Sequence, residues 1–279
     1  MAVIVVAGAE PGAGASTIAA GIAHRLAYAG HRVRLERLAG DARADADATA
    51  FATFEIAEAS GRAVDAGAAP REGIVVLEAP AGADGAALAA QLGGRLVTVG
   101  REGANAPAGA FAFINHVRKP GPRRVAEDRL LAGPTVRRLI EASRAQVLTR
   151  AADGEDAVCE HVVIGAISHD PDEPYFRRFP RAVIVTRAEK VDIALAAMRV
   201  NPVCLILTGG GEPSPYIVDR VAASRGTTLL LAPEGTVETM RDIEGTFGSV
   251  SFSGEAKLER IGELMKAALD DATLAALIA

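Results

Sequence analysis

VVAGAEPGAGASTIAAGIAHRLAYAGHRVRLERL, residues Val5–Leu38, runs an apolar strand into a glycine-rich turn, a hydroxyl pair and a long alanine-rich helix. This is the layout of a phosphate-binding loop, in which glycines turn backbone N–H groups inward and a helix N-terminus adds positive potential. The template G-x-x-x-x-G-K-[ST] falls on Gly8, Gly14, Ala15 and Ser16, with Gly12 as a further turning residue and Thr17 beside Ser16. Ala15 stands where the lysine that reaches the β- and γ-phosphates should be. The backbone cradle and the hydroxyl are kept, while the charged side chain is missing. A tight strand-to-helix turn without a ligand is the simpler alternative. A dinucleotide fingerprint fits less well, because Thr17 fills its third glycine.

The rest of the composition agrees with a layered α/β fold. Hydrophobic residues make up 49% of the 279 residues, enough to exclude wholesale disorder, and only 4% are aromatic. The apolar mass is Ala, Val, Leu and Ile, as suits helices on a parallel sheet. Arginine supplies nearly all the basic residues; the lysines are Lys119, Lys190, Lys257 and Lys266. A net charge of −5 argues against a general nucleic-acid binder. Cys159 and Cys204 lie in apolar runs, without disulfide or metal-ligand spacing. No apolar run approaches the roughly 18 residues of a membrane span, and the first residues lack the basic region of a signal peptide. The expectation is a cytoplasmic protein with no membrane or nucleic-acid partner.

Along the chain, apolar runs alternate with helical patterns, which indicates βαβ units and a parallel sheet. Strands are expected at Val3–Ala7, Val33–Leu35, Ile74–Leu77, Arg95–Val99 and Ala110–Ile114, with helices at Ser16–Ala29, Asp47–Ser60 and Asp84–Leu92. His116–Arg124 reads as a loop, and Thr135 as the N-cap of a helix to Arg144. A second α/β module then runs through strands at Val162–Ile167, Ala182–Val185, Val203–Leu207 and Thr228–Leu231. Its helices are expected at Lys190–Met198, Pro215–Ser224, Thr236–Ile243 and from Glu255 onward. The expected domains are 1–150 and 151–279.

The opening stretch resembles the dethiobiotin synthetase-like family of P-loop proteins, whose loop reads G-x-[DE]-x-G-x-G-K-T; Glu10 fits its acidic position. Further residues support the resemblance. VVLEAPAG is similar to the second acidic motif of that family and implies Glu78 near Mg²⁺. In DARADADATAF, Asp45 and Asp47 sit where the family carries a metal-associated aspartate, and Asn115 in FINHV resembles the asparagine that meets the adenine ring. The implied site is therefore Gly8, Gly12, Gly14, Ser16, Thr17 and Asn115 for ATP or ADP, with Ser16, Asp45, Asp47 and Glu78 toward Mg²⁺. Each acid also reads as a solvated strand or helix end, and Asn115 as a strand-terminating turn residue.

The later half resembles the DRTGG domain. Thr208-Gly209-Gly210 is intact in VCLILTGGGEPSPYIVDRVA, the Asp-Arg pair appears as Glu189-Lys190, and Asp192 matches in the following helix. In APEGTVETMRDIEGTFG the usual Asp-Thr has become Gly235-Thr236. The glycines after Val203–Leu207 either bind an anion at a helix N-terminus or permit a tight crossover. This order of modules is similar to the non-catalytic N-terminal region of long phosphate acetyltransferases, a region associated with regulation and assembly. The resemblance implies no acetyltransferase catalytic domain here.

No catalytic arrangement emerges from the five histidines, and His169, Asp170, Asp172 and Glu173 read as loop charges. The expectation is a regulatory or scaffolding protein without efficient catalysis, forming a homo-oligomer beside a metabolic enzyme and responding to adenine nucleotides. Two alternatives remain. An ATP-dependent ligase or carboxylase would need Arg37 to replace the lysine. A purely structural oligomerisation module would leave both glycine loops empty.

Overall fold

Runs rich in Val, Ile and Leu form the strands of two sheets. The computed structural model describes residues 2–70, 72–165, 175–249 and 251–279. The chain divides into two units, Met1–Leu131 with Ser251–Ala279, and Ala132–Val250.

The first unit holds β1 (Ala2–Gly8), α1 (Ala15–Tyr28), β2 (Val33–Arg37), α2 (Ala44–Phe51), β3 (Ile74–Glu78), α3 (Gly85–Leu92), β4 (Arg95–Gly100), β5 (Phe111–Val117) and β6 (Arg124–Ala126). A one-turn helix, α4 (Arg129–Ala132), follows. The strands form one parallel sheet in the order β2-β3-β1-β4-β5-β6. β1 is buried on both faces, which explains its unbroken apolar run. Ile4 and Val6 face α1 through Ile18, Ile22 and Leu26, while Val3, Val5 and Ala7 face the layer that includes Ala89 and Leu92 of α3.

The second unit holds α5 (Val136–Ser143), β7 (Gln146–Thr149), β8 (His161–Ile164), β9 (Ala182–Arg187), α6 (Val191–Met198), β10 (Cys204–Thr208), α7 (Pro215–Ser224), β11 (Thr228–Leu231) and α8 (Thr236–Glu244). Its sheet order is β7-β11-β10-β9-β8, parallel except for β7. Thr135 caps α5 as expected, accepting the Arg138 N–H at 3.4 Å. Cys159 and Cys204 are free thiols in the core between this sheet and α5 and α8.

The division differs from the expected 1–150 and 151–279. α5 and β7 belong to the second unit because β7 pairs antiparallel with β11. The last helices, α9 (Glu255–Ala268) and α10 (Asp271–Ile278), return to the first unit. α9 packs on α1, where Gly21 leaves room: a Cβ there would lie 2.7 Å from Met265 and 2.8 Å from Ile261.

Other boundaries move for local reasons. The helix expected over Asp47–Ser60 stops at Phe51, since Phe51 and Phe54 bury in the core. Glu58 then exchanges backbone hydrogen bonds with Val33 and Leu35 at the edge of β2. The expected loop at His116–Arg124 begins inside β5 and ends at the start of β6.

Candidate functional site

β1 lies between β3 and β4, so the connection from β1 to β2 and the one from β3 to β4 run in opposite directions across the sheet. Such a switch point opens a crevice at the carboxyl ends of parallel strands. The turn from Gly8 to Gly14 occupies that place. Gly12 and Gly14 have φ of 76° and 92°, the left-handed region that glycine adopts freely. A side chain at Gly14 would also collide with Asn115, whose Nδ2 would lie 2.2 Å from the added Cβ. Ala9 N–H donates to Val99 O at 2.8 Å, and Ala13 N–H to Glu10 O at 3.2 Å. No side chain caps α1 and no acid stands in its first turn. Among the described residues, the backbone N–H groups of Gly12, Gly14, Ala15, Ser16 and Thr17 have no hydrogen-bond acceptor. Ala15 packs half-buried against the core.

Asn115 is buried at the end of β5 and donates from Nδ2 to Ala13 O at 3.0 Å. It is a strut that holds the loop. One of its two amide N–H groups is spent on this bond.

Beneath the loop lies a charged cluster. Ser16 Oγ donates to Glu78 Oε1 at 2.7 Å. Glu78 pairs in register with Arg37 across β3 and β2, which puts both side chains on one face. Arg37 Nε lies 3.5 Å from Glu78 Oε2 and 3.6 Å from Asp47 Oδ2. The remaining guanidinium nitrogens donate to Leu38 O, at 2.7 Å, and to Asp41. Arg37 is 2% exposed, Asp47 3% and Glu78 5%, yet Arg37 Nε, Asp47 Oδ1 and Glu78 Oε2 have no hydrogen-bond partner. Burial pushes the Glu78 carboxyl up to about 7, aided by Asp47 and opposed by Arg37 and the Ser16 hydroxyl. Burial also works to raise Asp41, but bonds from the Ala81 N–H, the Arg37 guanidinium and the Arg43 N–H hold its carboxyl below the usual range.

The structure thus gathers Ser16, Asp47 and Glu78 but not Asp45. Asp45 is exposed and accepts the Ala63 N–H at 3.1 Å. Residues two apart on a helix face different ways, so α2 cannot aim both aspartates at one ion. Among the described residues no group of three His, Cys, Asp or Glu side chains is placed to hold a metal ion. Of the residues expected toward Mg²⁺, Ser16, Asp47 and Glu78 come together and Asp45 lies apart; Arg37 lies among the acids, and Ser16 directs its proton at Glu78. Asp41 was missed in the sequence. Its only signal there is an acid just beyond the end of β2.

The second glycine turn follows β10. Gly209 and Gly210 have φ of 91° and 62°. Gly209 N–H donates to Glu234 O at 2.7 Å and Gly210 N–H to Ala232 O at 3.1 Å. Thr208 is buried, donates to Thr186 O at 3.3 Å and lies 2.8 Å from the Thr236 hydroxyl. These bonds fasten the turn to the β11–α8 connection. Glu189 pairs with Arg187 at 2.6 Å, Lys190 occupies the N-cap position of α6, and Asp192 stands in its first turn.

Residues 138–246 match the DRTGG domain. This DRTGG region falls wholly within the second unit, from α5 to just past α8. Gly235-Thr236, which replaces the usual Asp-Thr, still supplies the hydroxyl that meets Thr208. A solved structure of the CBS and DRTGG domains of the regulatory region of Clostridium perfringens pyrophosphatase, complexed with its activator diadenosine tetraphosphate, is 14% identical. That likeness covers 53% of this chain and 70% of the other, with a TM-score of 0.37, a level that does not establish a shared arrangement.

His169, Asp170, Asp172 and Glu173 lie outside the described residues. Among the described residues no helix is long and apolar enough to cross a membrane.

Proposed function

We propose that the chain is a regulatory protein that responds to an adenine nucleotide, ADP or ATP, and turns it over slowly or not at all. The phosphates would rest on the N–H groups of the Gly8–Thr17 segment. The observation that carries this reading is the pairing of an open backbone cradle with an uncharged lysine position: Gly12, Gly14 and the first turn of α1 leave N–H groups without acceptors, and Ala15 is half-buried. Backbone amides and a helix N-terminus suffice for anion binding. Removing one preorganised charge-stabilising group typically lowers rate by about 10²–10³.

The finer likeness of the first unit to the dethiobiotin synthetase-like family belongs to the same proposal. So do a homo-oligomeric state and an association with a metabolic enzyme, which follow from the module order, and a cytoplasmic location, which follows from the composition. The ligase alternative is disfavoured by Arg37, whose guanidinium is held by Asp41, Leu38 O, Asp47 and Glu78 rather than offered to a phosphate.

Calorimetric titration with ADP and ATP, alongside a phosphate-release assay, tests the proposal. Saturable binding with negligible release is expected. Fast hydrolysis that disappears in Ser16→Ala would overturn it.

A further inference from the structure

The acid cluster under the loop already contains a cation. Arg37 enters it from the end of β2, with Nε between Glu78 Oε2 and Asp47 Oδ2 at 3.5 and 3.6 Å. One terminal nitrogen meets Asp41 and the other is bonded to Leu38 O. Arg43 adds a second positive charge 3.6 Å from Asp47 Oδ1. The hydroxyl that would ligate a nucleotide-bound metal donates its proton to Glu78 instead.

We propose that Arg37 takes the place of a divalent cation at this site, so that the acids exclude Mg²⁺ and the loop accepts a nucleotide in its metal-free form. Mg²⁺ demands close octahedral oxygen coordination at about 2.0–2.1 Å and loses its waters reluctantly. To enter, it would have to displace a guanidinium that is itself buried and hydrogen-bonded, and then sit beside it in a site of low dielectric. Arginine suits the substitution, because its planar head stays charged and spans several carboxylates at once. Removal of Arg37 takes the main counter-charge from Asp41, Asp47 and Glu78, whose carboxylates all lie against its guanidinium, and a divalent cation is drawn to the negative charge left behind. The exclusion of metal stands on the cluster alone; the identity of the metal-free ligand rests on the nucleotide reading above.

Two measurements on the full chain test the two parts separately. In the first, Mn²⁺ is titrated without nucleotide and free ion is followed by electron paramagnetic resonance. The wild type is expected to leave Mn²⁺ free up to about 1 mM, the weak end of protein sites for divalent cations, and Arg37→Met to bind at least tenfold more tightly. Arg37→Lys, which keeps a charge, is expected to behave as the wild type. One tight Mn²⁺ per wild-type chain, lost in Glu78→Gln, would overturn the proposal, and this arm decides even if Arg37→Met does not fold. In the second, ADP is titrated in excess EDTA and in excess Mg²⁺. Affinities within about threefold are expected, and a tenfold or greater gain with Mg²⁺, about 1.4 kcal/mol, would overturn the metal-free form. Absence of ADP binding in both solutions removes the nucleotide reading and the metal-free ligand with it, while the Mn²⁺ result stands.

Discussion

Two glycine turns in this protein share a description and differ in what their backbone does. Each leaves the carboxyl end of an inner parallel strand, carries glycines at positive φ and leads to a helix. After β10, the N–H groups of Gly209 and Gly210 are bonded to Glu234 and Ala232 carbonyls, and Thr208 is tied to Thr236. After β1, Gly12, Gly14 and the first turn of α1 keep their N–H groups open, among the described residues, above a buried cluster with orphaned polar atoms. Glycine content does not distinguish a crossover from a cradle. The destination of the glycine N–H groups does: those of Gly209 and Gly210 are spent on protein carbonyls, while those of Gly12 and Gly14 have no acceptor among the described residues.

The comparison breaks first at Gly14. Gly14→Val combines a left-handed backbone, worth about 1–2 kcal/mol, with a clash against Asn115, worth about 1–3 kcal/mol. Chemical denaturation is expected to show a total loss of about 2–5 kcal/mol.

Glu78 sharpens it next. Its folded carboxyl titrates at about 7, above its ordinary range, so between the two values the folded state keeps a proton that the unfolded chain has lost. Stability contributed through this group is therefore full below the unfolded value, falls as pH rises toward 7 and levels off above it. The fall is about 3 kcal/mol across that window. Glu78→Gln should remove this component, which denaturation curves from pH 5 to 8 would reveal.

A smaller effect is expected from Asn115→Ala. Loss of the bond to Ala13 O costs about 1–2 kcal/mol and loosens the loop, so ADP affinity should fall as well. Gly209→Ala has the least effect. Its added Cβ meets nothing within 4 Å, leaving only the left-handed backbone penalty, at its lower end about 1 kcal/mol, and ADP affinity should not change. An equal drop in ADP affinity for both variants would erase the distinction between the two turns.

The strands were legible because parallel sheets bury both faces, which writes them as apolar runs such as Val3–Ala7 and Val203–Leu207. Local turn chemistry was legible too, as Thr135 and the glycines show. The return of α9 to α1 was not, since an amphipathic stripe does not name its partner; Gly21 and Gly262, which make room for Met265 and His24, have meaning only once the helices meet. Arg37 was visible as a candidate, but its position depends on the pairing of β2 with β3, a contact distant in sequence. Asp45 could have been set aside from helical spacing alone once Asp47 was placed. Asp41 could not have been singled out, because the Ala81 N–H that it accepts comes from a segment distant in sequence.

If the Gly8–Thr17 segment holds a nucleotide, negative charge placed beside it must weaken binding. Gly12 offers the cleanest way to test it, because a Cβ there meets nothing within 4 Å, and Asp tolerates positive φ better than most residues. Gly12→Asp therefore adds negative charge at the mouth of the cradle with little strain. Titration of ADP into wild type and Gly12→Asp should give saturable binding near one per chain for the first and at least tenfold weaker binding for the second. No binding to the wild type, or undiminished binding to Gly12→Asp, would show that the Gly8–Thr17 segment does not hold a nucleotide.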